Sequence, residues 1–201
     1  MRSFTISTLM VLLIAACNNE KPVQLQFPAE VAGTPLACDQ WYAGYDSAGD
    51  AQIQVKDFRF FIPGLRLIND KNEEIPVQLE QDSVWLFMDI ALLDFENGQG
   101  ECEEKGTART NSVVRGIVKG STFKSIVFKL GVPFEWNHVD NVAVPSPLNV
   151  GAMFWNWQFG YKFARFDLVH WKWGSKLIQK FQGSILSFHR YIKKVEKQGL
   201  R

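Results

Sequence analysis

Between Ile53 and Ile68 large apolar residues alternate with polar ones, first around Phe58, Phe60 and Ile62 and then at Leu65 and Leu67, and Pro63-Gly64 interrupts the run. A period of two sends successive side chains to opposite faces of a strand. The Pro-Gly pair in its middle predicts two strands, or one bulged strand. No long amphipathic helix is legible elsewhere to cover these strands, so strands must cover strands. That points to an all-β chain, an antiparallel β-sandwich with one short helix.

The remaining pattern agrees. Gln24 to Val31 reads as a first strand, turned by Ala32-Gly33-Thr34-Pro35. Asn69 to Asn72 is a hairpin turn and Ile75 to Leu79 its return strand. Val84 to Phe95 reads as a strand, or a strand plus a turn, and Asn97 to Arg109 as a loop carrying Cys102. Ser112–Val118 and Thr122–Leu130 predict a β-hairpin across Lys119-Gly120-Ser121. Ser146 to Trp157 allows the short helix, capped by Asn149, and Tyr161 to Val169 alternates as a strand.

With 201 residues, 46% of them hydrophobic, the chain is long enough to bury a core as one domain. A formal net charge of +1 argues against nucleic-acid binding. The charge is unevenly spread: residues 1–167 carry a net −6 and residues 168–201 a net +7. The expected divisions are 1–17, 18–24 as a polar tether, 25–169 as the β domain, and 170–201 as a basic, helical or disordered tail.

Arg2 followed by the mostly apolar stretch Phe4 to Ala16 is too short for a membrane span and fits a targeting segment. It ends Leu13-Ile14-Ala15-Ala16-Cys17, which resembles a bacterial lipoprotein signal with Cys17 as the lipidated residue. Asparagines rather than an aspartate follow Cys17, which by analogy favours the periplasmic face of the outer membrane. Two cysteines then remain for an oxidising compartment. A Cys38–Cys102 disulfide is the expectation, and two buried thiols the alternative.

No nucleophile elbow, phosphate loop, zinc-protease motif or Cys-x-x-Cys motif is present, so the chain reads as a non-enzyme. Asp94 and Glu96 flank Phe95 on one strand face. A solvated sheet face or a turn suits them better than glycosidase chemistry, which needs carboxylates facing each other across a substrate. His138 is the histidine inside the well-patterned region, beside an aromatic run at Phe154-Trp155-Asn156-Trp157. Imidazole is a common copper or zinc ligand, but one imidazole alone does not hold such a metal tightly. Trp85, Trp155 and Trp157 could fill a core or line a sugar-binding groove. Oxidative opening of an indole would instead yield a kynurenine, whose aryl amine and ketone ligate copper.

Several blocks, read in order, resemble one family: Cys38, FRFFI (58–62), LRLIND (65–70), PVQLEQDSVW (76–85), ALLDFENGQGEC (91–102) and TNSVVRGIV (110–118). LGVPFEWNH (130–138), PSPLN (145–149) and MFWNWQFGYKFARFD (153–167) continue the series. Together they resemble MbnP proteins, the four-Cys half of the metallo-mystery pairs. The resemblance implies a periplasmic copper-binding protein with a di-haem, peroxidase-like partner that oxidises a tryptophan to kynurenine. It implies His138 as metal ligand and Trp155, Trp157 or Trp85 as the oxidised residue. The family pattern has four cysteines and closes on a His-Leu-Gly-Ser-like segment. This chain has neither those later cysteines nor that segment, and its basic residues 170–201, with His170 and His189, read as a divergent or frameshifted end. The competing reading is a metal-free surface module, for instance for glycans, with Trp155, Trp157 and Tyr161 as a stacking platform.

Overall fold

The computed structural model describes residues 19–44, 49, 51–102, 107–172, 175–177 and 180–181. The leader with Cys17, and His189 with the end of the chain, lie outside these residues. The chain opens with β1 (Glu20–Gln26), the short pair β2 (Glu30–Val31) and β3 (Thr34–Pro35), and β4 (Trp41–Ala43). It continues through β5 (Gln52–Pro63), β6 (Arg66–Asn69), β7 (Glu74–Pro76), β8 (Gln78–Leu79), β9 (Leu86–Phe87) and β10 (Ile90–Asp94). After a loop come β11 (Val113–Lys119), β12 (Phe123–Val127) and the one-turn helix α1 (Phe134–Asn137). The last elements are β13 (Phe154–Asn156), β14 (Gly160–Tyr161), β15 (Ala164–Lys172), β16 (Ser175–Leu177) and β17 (Lys180–Phe181).

The organising element is β5. Its alternation from Ile53 onward forms one 12-residue strand that ends at Pro63, and Gly64, at φ +60°, turns the chain into β6. Along one edge β5 pairs antiparallel with β15, from Ala164↔Phe60 to Trp171↔Gln52, with a bulge between Asp167 and Leu168. Along the other it pairs with β4 and β10. The central sheet runs β16-β15-β5-β10-β9, and two three-stranded sheets, β1-β11-β8 and β12-β6-β7, accompany it. All pairings are antiparallel, so the expected all-β, sandwich-like class holds.

Alternation gives the central sheet two different faces. Ile62, Ala91 and Leu93 point into a core shared with Leu67, Leu79, Val114 and Val118 of the smaller sheets. Their sequence neighbours Phe61, Ile90 and Leu92 point the other way, into a second core. Val132, Leu148, Met153 and Tyr161 of the 131–161 excursion cover that second face. Phe61 N donates to Phe163 O, and Phe61 O accepts from Gly131 N, clamping both ends of the excursion to β5. Ser146 Oγ donates to Val84 O at 2.8 Å and ties down its middle. Cys38 and Cys102 form the expected disulfide, closing a span of 64 residues.

Four local expectations change. β1 starts at Glu20, inside the segment expected as a tether, because all seven of its residues pair with β11. β11 and β12 are not a hairpin: β11 lies between β1 and β8, and β12 pairs with β6. The 146–157 helix is replaced by turns, a 3-10 turn at Gly151–Met153 and β13. Asn149 caps nothing there, and the α-helix is Phe134–Asn137. Finally, β15 runs unbroken across the 169/170 division, and β16 and β17 fold back on its free edge. The start of the tail expected to be helical or disordered is thus strand, at Ser175–Leu177 and Lys180–Phe181.

Candidate functional site

His138 follows α1 directly and is exposed. The site around it is built by joining two turns. In the first, Trp136 N donates to Pro133 O, closing the single turn of α1. The second is the β13–β14 turn, where Asn156 Oδ1 accepts from the backbone of both Gln158 and Phe159, an Asx-type closure. Asn137 joins them, its Oδ1 accepting from Tyr161 N at 3.0 Å. A β-carbon on Gly160 would sit 2.4 Å from Asn137 O, so the contact requires glycine, which also has φ +71°. His138 completes the join: its Nδ1 lies 3.1 Å from Trp157 O, and its Nε2 lies 3.3 Å from Asn137 Nδ2.

Around the imidazole the surface is unusually apolar. Phe134 is 84% exposed, Trp157 69% and Phe159 71%, and the Phe134 ring packs edge-on to His138 at 5.9 Å. Trp155 is 41% exposed and lies 4.6 Å below Lys162 Nζ, a cation–π arrangement. Trp85 is half-buried at the junction of the two cores, and its carbonyl accepts from Leu92 N. The site therefore joins His138 to the backbone of Trp157, keeps Trp155 two residues before it on β13, and leaves Trp85 with a packing role. Tyr161 is buried and donates its hydroxyl to Leu148 O at 2.7 Å, and burial lifts its pKa to about 12. It cannot serve as the third ring of a stacking platform. His170 pairs opposite Ile53, six residues along β15 from Ala164. Among the described residues no three His, Cys, Asp or Glu side chains are grouped to hold a metal ion, so His138 contributes a single donor.

A second polar assembly occupies the same sheet face as Phe61 and Leu92, and sequence reasoning missed it. Asp57 and Arg59 of β5, Asp94 of β10, Glu96, and Arg165 and Asp167 of β15 are all buried. Arg59 grips Asp57 with Nε and Nη2, and its Nη1 faces Asp94 and Glu96 at 3.9 and 3.7 Å. Arg165 donates to Asp57 at 2.9 Å and through Nε to Asp167 at 2.9 Å. Asp167 and Asp57 face each other across the strands, a repulsive pairing that Arg165 spans. Burial raises the Asp94 pKa to about 7, outweighing the opposing pull of Arg59. Asp94 and Glu96 thus share a face as expected, but it is interior and ionic, not solvated. The signal lay in Asp57-Phe58-Arg59 and Arg165-Phe166-Asp167, opposite charges two apart with a phenylalanine between them. A cleft of about 350 Å³ bordered by Asp94, Asn97, Gln99, Thr110 and Ser112 lies beside this row and includes none of the candidate site residues.

Comparison with known proteins follows the same outline. The family model for MbnP matches residues 20–190. No curated protein sequence matches the chain. The solved structure of MbnP from Methylosinus trichosporium superposes with a TM-score of 0.63 at 23% identity, covering 79% of this chain and 60% of that one. At that identity the likeness is one of fold, and this chain spans about three-fifths of the other's length.

Proposed function

The chain belongs to the MbnP family, and from that premise we propose that it is a lipid-anchored periplasmic copper-binding protein, not an enzyme, held to the outer membrane through Cys17. The observation that carries the reading is an exposed imidazole held, through Nδ1, to the backbone carbonyl of a tryptophan whose side chain is itself exposed, His138 to Trp157 on two tied turns. An imidazole nitrogen is a good donor for copper, but copper needs more than one. The second set of donors is a kynurenine at Trp157, or next at Trp155; Trp85, half-buried between the cores, is the least accessible of the three.

The chemistry balances with a peroxide oxidant and a di-haem partner as catalyst. Two equivalents of hydrogen peroxide each deliver one oxygen atom and leave as water, cleaving the indole C2–C3 bond to an N-formyl ketone, and a further water hydrolyses the formyl group to formate. The product keeps one added oxygen, has lost one carbon, and presents an aryl amine beside a ketone. Exposure of the Trp157 ring allows a haem protein to reach it; a core tryptophan would need unfolding. Copper, when bound, supplies the cargo of an acquisition or homeostasis role, and the protein supplies the donor set.

Peptide mass spectrometry with copper counting on protein from the native membrane fraction tests this. The expected result is the one-oxygen, minus-one-carbon change on the peptide holding Trp155 and Trp157, with copper lost in His138→Ala. Retention of full copper by His138→Ala refutes the site. The metal-free surface-module reading draws on the exposed Phe134, Trp157 and Phe159 rings, and it predicts indifference to that substitution in copper binding.

A further inference from the structure

We infer that Asn137 and the Trp157 carbonyl together lock His138 in the Nδ1–H tautomer, making Nε2 the metal-ligating atom, and that the Asn137 carboxamide is the group a metal displaces from it. The inference deepens the copper reading and rests on it for the displacement step. The tautomer itself rests on hydrogen-bond logic alone.

The logic starts outside the imidazole. Tyr161 N–H can only donate, and it points at the Asn137 side chain at 3.0 Å, so the Asn137 oxygen must face Tyr161. The carboxamide nitrogen is then the atom left facing His138 Nε2, at 3.3 Å. A carboxamide NH₂ donates and does not accept, so Nε2 must present its lone pair. At the other end of the ring, a backbone carbonyl accepts and does not donate. The Trp157 carbonyl, 3.1 Å from Nδ1, therefore requires a proton on Nδ1. Two independent partners demand the same tautomer, and neither tolerates the reverse. The arrangement is one that metal sites use: one ring nitrogen anchored by a carbonyl, the other free to ligate.

Asn137 thus has two separable duties. Its oxygen staples the β13–β14 turn to α1. Its nitrogen occupies the lone pair that a metal would take, so it positions the ligand and is not itself a donor to the metal. Any copper arriving at Nε2 breaks the Nδ2–Nε2 contact and leaves the Oδ1–Tyr161 bond and the Nδ1–Trp157 bond in place.

Long-range ¹H–¹⁵N NMR on the copper-free full chain, with His138 assigned by its absence in His138→Gln, reads the tautomer directly. The expected spectrum has a protonated Nδ1 and an unprotonated Nε2. Adding copper(I), which is diamagnetic, should move Nε2 and the Asn137 side-chain amide together. Asn137→Asp keeps an acceptor for Tyr161 N and removes the donor to Nε2. It should put a proton on Nε2 and weaken copper(I) binding, because copper must then displace that proton from its ligand. A protonated Nε2 in the copper-free protein, or an unchanged His138 spectrum in Asn137→Asp, overturns the inference while leaving copper binding at His138 open. Copper(I) that moves no His138 or Asn137 signal overturns the displacement step and the copper reading together. In that case the apo spectrum still decides the tautomer.

Discussion

Replacing Asp94 with asparagine should make the protein more stable at alkaline pH, and the structure gives the size of the gain. Asp94 is 3% exposed on β10, directly across from Arg59. Its Oδ1 accepts from Glu96 N at 3.1 Å, while Oδ2 stays 3.9 Å from the nearest Arg59 nitrogen, too far for a hydrogen bond. Burial dominates, Glu96 and Asp57 add repulsion, and the pKa rises from 3.8 to about 7. The native state therefore holds a proton over that interval that the unfolded chain has released. Stability from this group is full below about pH 4, falls as pH rises through 7, and stays low above. Three pKa units at about 1.4 kcal/mol each give a loss of up to about 4 kcal/mol. Asparagine copies the protonated form, keeping the acceptor toward Glu96 and carrying no charge. Urea unfolding followed by tryptophan fluorescence, at about pH 4 and about pH 8, reads the difference through the midpoint. The Asp94→Asn variant should match wild type within about 1 kcal/mol in acid and exceed it by up to about 4 kcal/mol in base. If the variant is instead the less stable one at about pH 8, Asp94 is an ionised partner of Arg59 and the reasoning fails, since such a group contributes with the opposite sign.

Three further outcomes are expected. Cys38→Ala/Cys102→Ala should lose about 4 kcal/mol, the chain-entropy value for a 64-residue separation, measured by the same urea titration. Arg59→Met should cost about 3–5 kcal/mol, because it strips Asp57 of its bidentate partner and leaves Asp94 and Glu96 facing no cation among the described residues; thermal melts at neutral pH check it. Gly160→Ala combines a left-handed backbone with a β-carbon 2.4 Å from Asn137 O, so it should cost about 1–3 kcal/mol and part the β13–β14 turn from α1. Loss of the His138 Nδ1 proton signal, with the rest of the spectrum folded, would report that parting.

What the sequence made legible is what short-range physics decides. Pro63-Gly64 breaks an alternating run whatever surrounds it, Asn69 Oδ1 closes its own turn onto Lys71 and Glu73 N, and Cys38 pairs with Cys102. The misread elements depend on partners distant in sequence. Lys119-Gly120-Ser121 looks like a hairpin turn, yet β11 is held by β1 on one side and β8 on the other. Gly116 allows that fit, since a β-carbon there would meet Gln78 O at 2.4 Å. Glu20 to Pro22 hide as a tether because that end of the outer strand is exposed throughout, and the burial alternation begins only at Val23. Asn149 looks like a cap because caps are often asparagines, but Pro145 and Pro147 organise turns there, with Leu148 N donating to Pro145 O. Of the site, His138 and Trp157 were legible as residue types. Asn137 was not, because its importance lies in a bond made to Tyr161, 24 residues away, and in the contact with His138 that this bond orients.

The two polar features of this protein share one sheet face, and that arrangement accounts for how a loop-borne site is kept in register. The apolar end of the face, Phe61 and Leu92, carries the 131–161 excursion. The ionic end, Asp57, Arg59, Asp94 and Arg165, fixes the registers of β5, β10 and β15 against one another. A purely apolar face would let those strands slip by two residues and keep every side chain on its own side. A row in which Arg165 must reach both Asp57 and Asp167 tolerates no such slip. The Ala152 carbonyl joins the two ends: it accepts from Lys162 at 2.9 Å, the residue lying over Trp155, and from Arg165 at 3.5 Å. The backbone just before Trp155 is therefore tied to the ionic row, and the backbone of Trp157 to His138. Buried charge is costly relative to apolar packing, and its use here is understood as positional, holding the strands whose ends set the spacing between the two turns.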